Sequence, residues 1–464
     1  MKASIILFAL LAAVSTSALP GKGHHCKTGQ QTCTVGHHSK TKSHHTKSPL
    51  PATTAASIPT TAAANPPAKT PTPAKTSTPA NPPAPAKTTV PANTPTPAKT
   101  AAPTNPTTPA NPSYKDACVV KSYADFSTCV ASKSATILIK GPFTVPAEKV
   151  IDLTKLAPNT HVVLSGTVKF AKSTTIDGDG LALLNLGGAG ITFDSDPANP
   201  GVLDGNGQLY WDGKGGNGGV PKPKMFRSTA TANSLIKDFT VLNAPVRVFS
   251  IGGSDTVFDN IKIDMSLGDT KGGHNTDGFD VSGNGITIQN SWVHNQDDCL
   301  AINKSTGKGV KFLNNVCIGG HGISISAKEG GIVENVLVKD CIVKQSTNAI
   351  RIKTLYKATS GHVSNVVYDN VSFEGITKIG LSIQQDYSNT GRTGNPISNM
   401  PITHVIFSNV TGTMAAGSNA RSVDLMCAPG MCRDVQVTGL NIKAAAKNLP
   451  TVCKNVKPAG AGCP

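Results

Sequence analysis

The sequence predicts an all-β solenoid, a right-handed parallel β-helix, and three observations predict it. From Tyr114 onward, short β-type runs are punctuated by Gly, Asn and Asp; helical periodicity is scarce; and alternating apolar runs ending in Asn or Asp recur at long intervals. The recurring runs are 257–260, 286–290, 310–314, 336–340, 366–370 and 405–409, whose last residues are separated by steps of 30, 24, 26, 30 and 39. A unit of that length holding several short strands cannot bury an apolar face alone, whereas stacked copies bury a continuous core. Asn or Asp at matched turns can then hydrogen-bond from coil to coil. A β-sandwich would carry turns about every 8 to 12 residues without the longer period.

Taken in order, the 464 residues are not uniform. Lys2, the apolar run 5–14 and Ser15-Thr16-Ser17-Ala18 read as a signal peptide over residues 1–18, too short for a membrane span. With no second long apolar run, the mature protein is expected to be secreted, extracellular and without a membrane partner. Residues 19–45 hold His24-His25-Cys26, Cys33, His37-His38 and His44-His45. Such a tract can bind Zn or Cu, but in an oxidising compartment Cys26 and Cys33 are expected to pair. Residues 46–113 are Pro, Thr, Ala, Asn and Lys, with Pro-Ala-Lys-Thr at Pro67, Pro73, Pro85 and Pro97. They offer little to bury, so a disordered, extended spacer of polyproline II character is expected. The folded domain is expected over residues 114–464.

The formal net charge of +16 is concentrated in the tail, since residues 1–113 contain ten Lys and no acidic residue, leaving +6 for the domain. Secretion argues against a nucleic-acid partner, whereas an anionic extracellular polymer would profit from the same attraction. Eleven Cys imply disulfides with one thiol over. Close neighbours in sequence are 26/33, 118/129, 299/317, 427/432 and 453/463. Cys341 is the odd one, and its apolar surroundings predict a buried, inert thiol.

Within the domain the clearest strand runs are 136–139, 161–164, 234–236, 255–258 and 285–288, and the best candidate helix spans 123–132. The chemistry concentrates between His274 and His321, where Asn275-Thr276-Asp277-Gly278, Gln296-Asp297-Asp298-Cys299 and Gly320-His321-Gly322 follow one another. Asp277 precedes Asp298 by 21 residues and His321 follows it by 23, so a coil of a little over twenty residues stacks them about 4.8 Å apart. Carboxylates so crowded cannot all ionise easily, and at least one should keep its proton into the mildly acidic range. Further on, Arg351-Ile352-Lys353 puts two cations on one face of a strand. With Tyr387 from a later coil they surround the acids with groups able to grip a carboxylate. An acidic sugar fits such a site.

Those four motifs, with Trp211-Asp212-Gly213-Lys214-Gly215, Gly272-Gly273-His274 and Gln384-Gln385-Asp386-Tyr387, resemble the family 28 glycoside hydrolases, specifically polygalacturonases and among them the fungal endo-acting ones. The resemblance covers about residues 117–463 and implies a pectin-lyase-like parallel β-helix. It implies that Asp297 is the general acid and that Asp277 and Asp298 activate the attacking water. His321 would support the acid, while Arg351, Lys353, Tyr387 and Asn275 would bind galacturonate. It further implies inverting hydrolysis of α-1,4 bonds without metal or cofactor, and the disulfides Cys118–Cys129, Cys299–Cys317, Cys427–Cys432 and Cys453–Cys463. Gly278 stands where many fungal members have Ala.

Singly, an Asp-Asp pair or a Gly-His-Gly is an ordinary turn; four such motifs in order point to function. Asp280 and His274 are expected to be structural or rim residues. The sequons at Asn303, Asn370 and Asn409 are candidate glycan sites. The expected protein is a monomer acting on de-esterified pectin, with an acidic optimum because Asp297 must hold a proton while the other two acids are ionised. An exo-acting enzyme and a non-catalytic wall-binding protein are the alternatives.

Overall fold

The structure, a computed structural model, describes residues 113–177, 182–417, 419–460 and 462–463. The signal peptide, the His/Cys segment with Cys26 and Cys33, and the spacer up to residue 112 lie outside the described residues.

Three long sheets run along the domain as a parallel β-helix. Sheet A has 13 strands from Cys118–Val120 to Ala459–Gly460, sheet B has 11 from Phe143–Val145 to Asn441–Lys443, and sheet C has 12. Past the first two strands of sheet A, successive members of a sheet are every third strand in sequence, or every fourth where the hairpin strand Gly391–Arg392 intervenes, so each full coil contributes one strand to each sheet. All pairings are parallel except the hairpin joining Ile379–Ser388 to Gly391–Arg392. The expected helix is present as Asp125–Ala131. Among the described residues no helix is long and apolar enough to cross a membrane.

All five strand runs read from the sequence fall in sheet A, as Thr136–Lys140, His161–Ser165, Ser234–Lys237, Ser254–Asp259 and Asn284–Gln289. One face of this sheet is buried and the other is partly solvated, which imposes alternation. The residues ending the repeated runs, Asn260, Asn290, Asn314, Asp340, Asn370 and Asn409, all take left-handed φ between 50° and 55°. Asn tolerates that conformation, and its side chain reaches the next coil. Asn290 donates to Asp259 at 2.7 Å, Asn314 to Asn290 at 2.8 Å and Asn370 to Asp340 at 2.6 Å. The predicted coil-to-coil ladder is thus present.

Inside the coil, Phe226, Phe249 and Phe279 are in register on sheet C and fully buried, with Phe249 and Phe279 stacked at 5.2 Å between ring centroids. Phe279 ends this column on the coil that carries Asp277 and Asp280. The four disulfides connect Cys118–Cys129, Cys299–Cys317, Cys427–Cys432 and Cys453–Cys463. Cys341 is free and buried, and burial pushes its thiol up to about 12.

Candidate active site

The site is built where the chain enters sheet C on four consecutive coils. Inter-coil backbone bonds run from Val248 N to Asp277 O (2.8 Å), Gly278 N to Asp298 O (2.9 Å) and Cys299 N to Gly322 O (2.9 Å). Asp277, Asp298 and His321 therefore stand on successive rungs, with Asp297 beside Asp298. The next strand, Asn348–Leu355, presents Arg351 and Lys353 on its outward face, and Ile379–Ser388 ends near Tyr387. Each side chain owes its place to strand register.

Local sequence fixes the approach. Gly320 has φ +58, and a Cβ there would lie 2.1 Å from the Asp297 carbonyl oxygen, so no other residue fits the turn carrying His321. A Cβ on Gly278 would meet the Cys299 carbonyl oxygen at 2.6 Å, which accounts for Gly at this position in this chain. The Asn275–Asp277 segment is held by a web that includes Thr276 Oγ1 donating to Gln296 Oε1 at 2.8 Å and Asn295 Nδ2 donating to Thr276 O at 2.9 Å.

Asp297 Oδ1 faces His321 Nδ1 at 2.8 Å and accepts the Asp298 amide at 2.8 Å, while Oδ2 accepts from Asn275 Nδ2 at 2.7 Å. Asp298, 2 % exposed, is saturated by Ser324 Oγ (2.7 Å) and Arg351 (2.5 Å) on Oδ1 and by Lys353 Nζ (2.9 Å) on Oδ2. Lys353 Nζ lies 5.0 Å from the centre of the Tyr387 ring. Asp277 is buried, and its Oδ1 has no hydrogen-bond partner. The eight residues expected at the site are brought together, although Asn275 spends its amide nitrogen on Asp297 and its oxygen on the 216–217 loop.

Burial opposes ionisation of all three aspartates, but their neighbours separate them. At Asp277 burial, reinforced by Asp280, Asp297 and Asp298, drives the carboxyl well above its usual range. At Asp297 burial is outweighed by the His321 hydrogen bond and by the His321, Lys353 and Arg351 charges, which hold it low. At Asp298 burial is outweighed by Arg351 and Lys353. The shifts run in opposite directions, Asp277 upward and Asp297 downward, because Asp297 faces His321, Lys353 and Arg351 whereas Asp277 faces the other acids. Asp280, expected to be a structural or rim residue, lies on the groove floor with its side chain 15 % exposed; burial raises it to about 6 even though Arg247 sits 2.7 Å away.

Asp297, Asp298 and His321 offer ligand atoms within 4.8 Å of one another, close enough to hold a metal ion. The Asp298 oxygens already face two fixed cations, whose charge opposes a third there.

Sequence reasoning missed Ser324, which donates to Asp298 and accepts from Arg351 Nε at 3.1 Å, and the Arg247–Asp280 pair. Ser324 lies opposite Arg351 in the sheet register, a pairing that the sequence pattern alone does not give. Of the sequons, Asn370 and Asn409 are exposed on the ladder. Asn303 follows Leu300–Ile302, whose register places it opposite Ser326 and hence two rungs from Lys353. A glycan there would stand in the groove.

Acids at the centre of a solenoid face, with two cations two coils further on reaching back to them, are the equipment of an enzyme that hydrolyses an anionic chain. Residues 136–463 match the family described as Glycosyl hydrolases family 28. The chain belongs to that family and is a glycoside hydrolase. It is 41% identical over 351 residues to endopolygalacturonase I of Aspergillus oryzae, spanning 75% of this chain and 91% of that protein. It is 40% identical over 350 residues to a polygalacturonase of Penicillium digitatum, spanning 74% and 92%. The crystal structure of endopolygalacturonase I from Stereum purpureum complexed with two galacturonates superposes with a TM-score of 0.61 at 38% identity, covering 72% of this chain and all of that one.

Proposed function

We propose that this chain is a secreted endo-polygalacturonase that hydrolyses α-1,4 bonds between galacturonate residues of de-esterified pectin by single displacement. The observation that carries the reading is the groove floor itself, where Arg351 and Lys353 stand one coil beyond His321 and reach back to Asp298. The names of the relatives supply the substrate class, and the four disulfides support secretion.

Asp297 gives its proton to the leaving glycosidic oxygen, and Asp298 and Asp277 hold and deprotonate the attacking water. Coupled acids share protons, so occupancy decides which one carries it. A substrate carboxylate against Arg351 and Lys353 offsets the cations that keep Asp297 ionised and adds an anion nearby; both effects move the cluster's proton onto Asp297. Asp277, less favourably placed for the bound anion to matter, is then free to act as base.

Asp297 and Asp298 are closer than the ~6.5–9.5 Å usual for inverting pairs. Single displacement is preferred because Asp298 has three donors on its two oxygens, which suits gripping water rather than forming a covalent ester. Endo action is supported by a floor that continues past the acids on both sides, through Ser250 and Arg227 in one direction and Ser382 and Asp424 in the other.

The test is incubation with polygalacturonate while following viscosity, reducing ends and the anomeric configuration of the first product. Early viscosity loss and an initial β-anomer are expected; early monomer with little viscosity loss would make the enzyme exo-acting, and an initial α-anomer would overturn single displacement. Asp297→Asn should lower kcat by about 10²–10⁴-fold. Normal activity in that variant would remove Asp297 from its role.

A further inference from the structure

The stretch Trp211-Asp212-Gly213-Lys214-Gly215 is left unused by the mechanism, yet it opens a loop that ends one side chain away from the general acid. Residues 211–222 leave the solenoid between Val202–Asp204 and Phe226–Thr231, and both ends of the loop are fixed. Trp211 Nε1 donates to Ala244 O at 3.1 Å. Lys222, 3 % exposed, donates to Gly218 O at 3.3 Å and Val220 O at 3.0 Å and pairs with Asp212 Oδ1 at 2.9 Å. Asp212 also accepts the amides of Lys214 (3.0 Å) and Val220 (3.1 Å). A buried ammonium keeps its charge only with such partners, so the loop is wound around an ion pair instead of an apolar core.

The tip of the loop directs two donors at one atom. Gly216 N and Asn217 Nδ2 donate to Asn275 Oδ1 at 3.1 and 3.2 Å, and Gly213 N donates to Gly272 O at 3.1 Å. Gly215 has φ +55, and a Cβ there would overlap Asn275 Oδ1 and meet His274 O at 2.7 Å, so the missing side chain is what lets the loop come so close. A backbone N–H can only donate, so the Asn275 atom facing it is the oxygen. The amide is thereby held one way round, with Nδ2 directed at Asp297 Oδ2, 2.7 Å away. Asp297 Oδ1 is occupied by His321 and the Asp298 amide, which leaves Oδ2 as the oxygen for the transferable proton. Strand register places Asp297, but the Asn275 amide decides what Oδ2 meets. As a donor it takes one lone pair of Oδ2 and leaves the other for the proton that goes to the glycosidic oxygen. Turned over, its oxygen would accept that proton and hold it away from the sugar.

We propose that residues 211–222 are a positioning element for the general acid: by locking the Asn275 amide they keep its nitrogen on Asp297 Oδ2 and forbid the orientation that sequesters the acid's proton. The inference rests on the reading of Asp297 as proton donor to a glycosidic bond. Asp212, Asn217 and Lys222 act through Asn275 and are positioning residues. The charged groups facing Asp297 are His321, Arg351 and Lys353, which hold its carboxyl low, and Asp277, Asp280 and Asp298. None of them belongs to the loop, so loosening the loop leaves that set in place. An amide donor favours the carboxylate and an amide acceptor favours the acid. Loosening the lock therefore moves the ionisation of Asp297, and with it the basic limb of kcat, to higher pH, while kcat at the optimum falls.

The test uses the full chain with Asn217→Ala, which removes an exposed donor, and Asp212→Asn, which weakens the ion pair inside the loop. Each is also made in an Asn275→Ala background, and Asn217→Ala carries the test alone where thermal unfolding shows Asp212→Asn to be unstable. Rates on polygalacturonate are measured across the acid and neutral range, and the Asp297 carboxyl is titrated without substrate by carboxyl-carbon NMR, its signal assigned by its loss in Asp297→Asn. Asn217→Ala should lower kcat about threefold and Asp212→Asn about tenfold, the range of one or two hydrogen bonds. KM should change by no more than about twofold, since the lock acts on the transition state. Both variants should shift the basic limb and the Asp297 midpoint upward, and neither should lower kcat further in the Asn275→Ala background. An equal loss in both backgrounds, a loss confined to KM, or an unmoved midpoint overturns the lock. A wild-type chain that releases no reducing ends sinks the polygalacturonase reading instead, while an upward shift of the Asp297 midpoint in the loop variants still sustains the lock.

Discussion

Replacing Lys353 by Met removes one charge while keeping most of the aliphatic stem. In the folded site Nζ lies 2.9 Å from Asp298 Oδ2, with the two side chains 8 % and 3 % exposed. At an effective dielectric of about 20 the gross attraction at that distance is roughly 6 kcal/mol. Desolvation offsets much of it, and removing one partner of a buried pair costs about 3–5 kcal/mol when nothing else remains. Here Arg351 remains at 2.5 Å, so a loss of about 1.5–3 kcal/mol, the range of one charge-assisted hydrogen bond, is the reasoned figure. Two consequences follow with a fixed sign. Asp298 loses a cation that holds its carboxyl low, so the pH at which it ionises rises and the acid limb of kcat/KM moves upward. The substrate carboxylate loses a point charge, so kcat/KM at the optimum falls about 10- to 150-fold. Initial rates on polygalacturonate from pH 3 to 8 read both, with the wild-type optimum expected on the acid side of neutrality. A uniform fall with an unmoved acid limb would refute the claim that Lys353 maintains the charge of a catalytic base.

Two perturbations away from the reacting atoms test the surrounding physics. Asp280, raised from 3.8 to about 6, retains its proton when folded at pH values where the unfolded chain has released it. Its contribution is therefore present below about pH 4 and is lost as pH rises to about 6, by at most ~3 kcal/mol. Asp280→Asn should flatten the decline in stability over that window in urea titrations, while the part due to Asp277 persists; an unchanged slope would contradict the burial argument. Asn290→Ala removes the bonds to Asp259 and from Asn314 and puts a Cβ-bearing residue without a polar tip at φ 54. It should cost about 2–4 kcal/mol, and Asn290→Gly about 1 kcal/mol less because glycine accepts that conformation. Equal losses in the two would mean that the left-handed turn carries no strain.

What could be read from the sequence depended on which face of each strand meets solvent. Sheet A strands are half-buried, so their alternation and terminal Asn residues were plain, and the ladder followed. Sheet C strands such as Asn348–Leu355 are buried along nearly their whole length because the groove residues cover the outer face. Their burial does not alternate and their outward positions carry Arg, Lys and Ser, so apart from Arg351-Ile352-Lys353 they were not legible as strands. The acids were findable because Asp is conspicuous and the spacing of 20 to 24 residues matches one coil. Ser324 and Arg247 were not, since a single Ser or Arg takes meaning only from the rung opposite. The opposite shifts of Asp277 and Asp297 were likewise beyond composition: they follow from His321, Arg351 and Lys353 lying on the Asp297–Asp298 side of the cluster.

The solenoid also explains how four carboxylates can be concentrated without driving away an anionic substrate. Asp277, Asp280, Asp297 and Asp298 occupy two adjacent coils, and uncompensated they would repel any uronate approaching them. Arg247 lies one coil before them, His321 one coil after, and Arg351 and Lys353 on the coil beyond that. The cations thus flank the acids along the axis instead of being scattered around a pocket, so an extended anionic chain meets positive charge on both sides of the acidic centre. Length variation between coils, with steps from 24 to 39 residues, is absorbed in the corners, while backbone hydrogen bonds keep the floor at one rung per coil. Register, rather than loop conformation, therefore sets the spacing of the charges, and a change in a corner loop can alter what enters the groove without moving the groups that cut it.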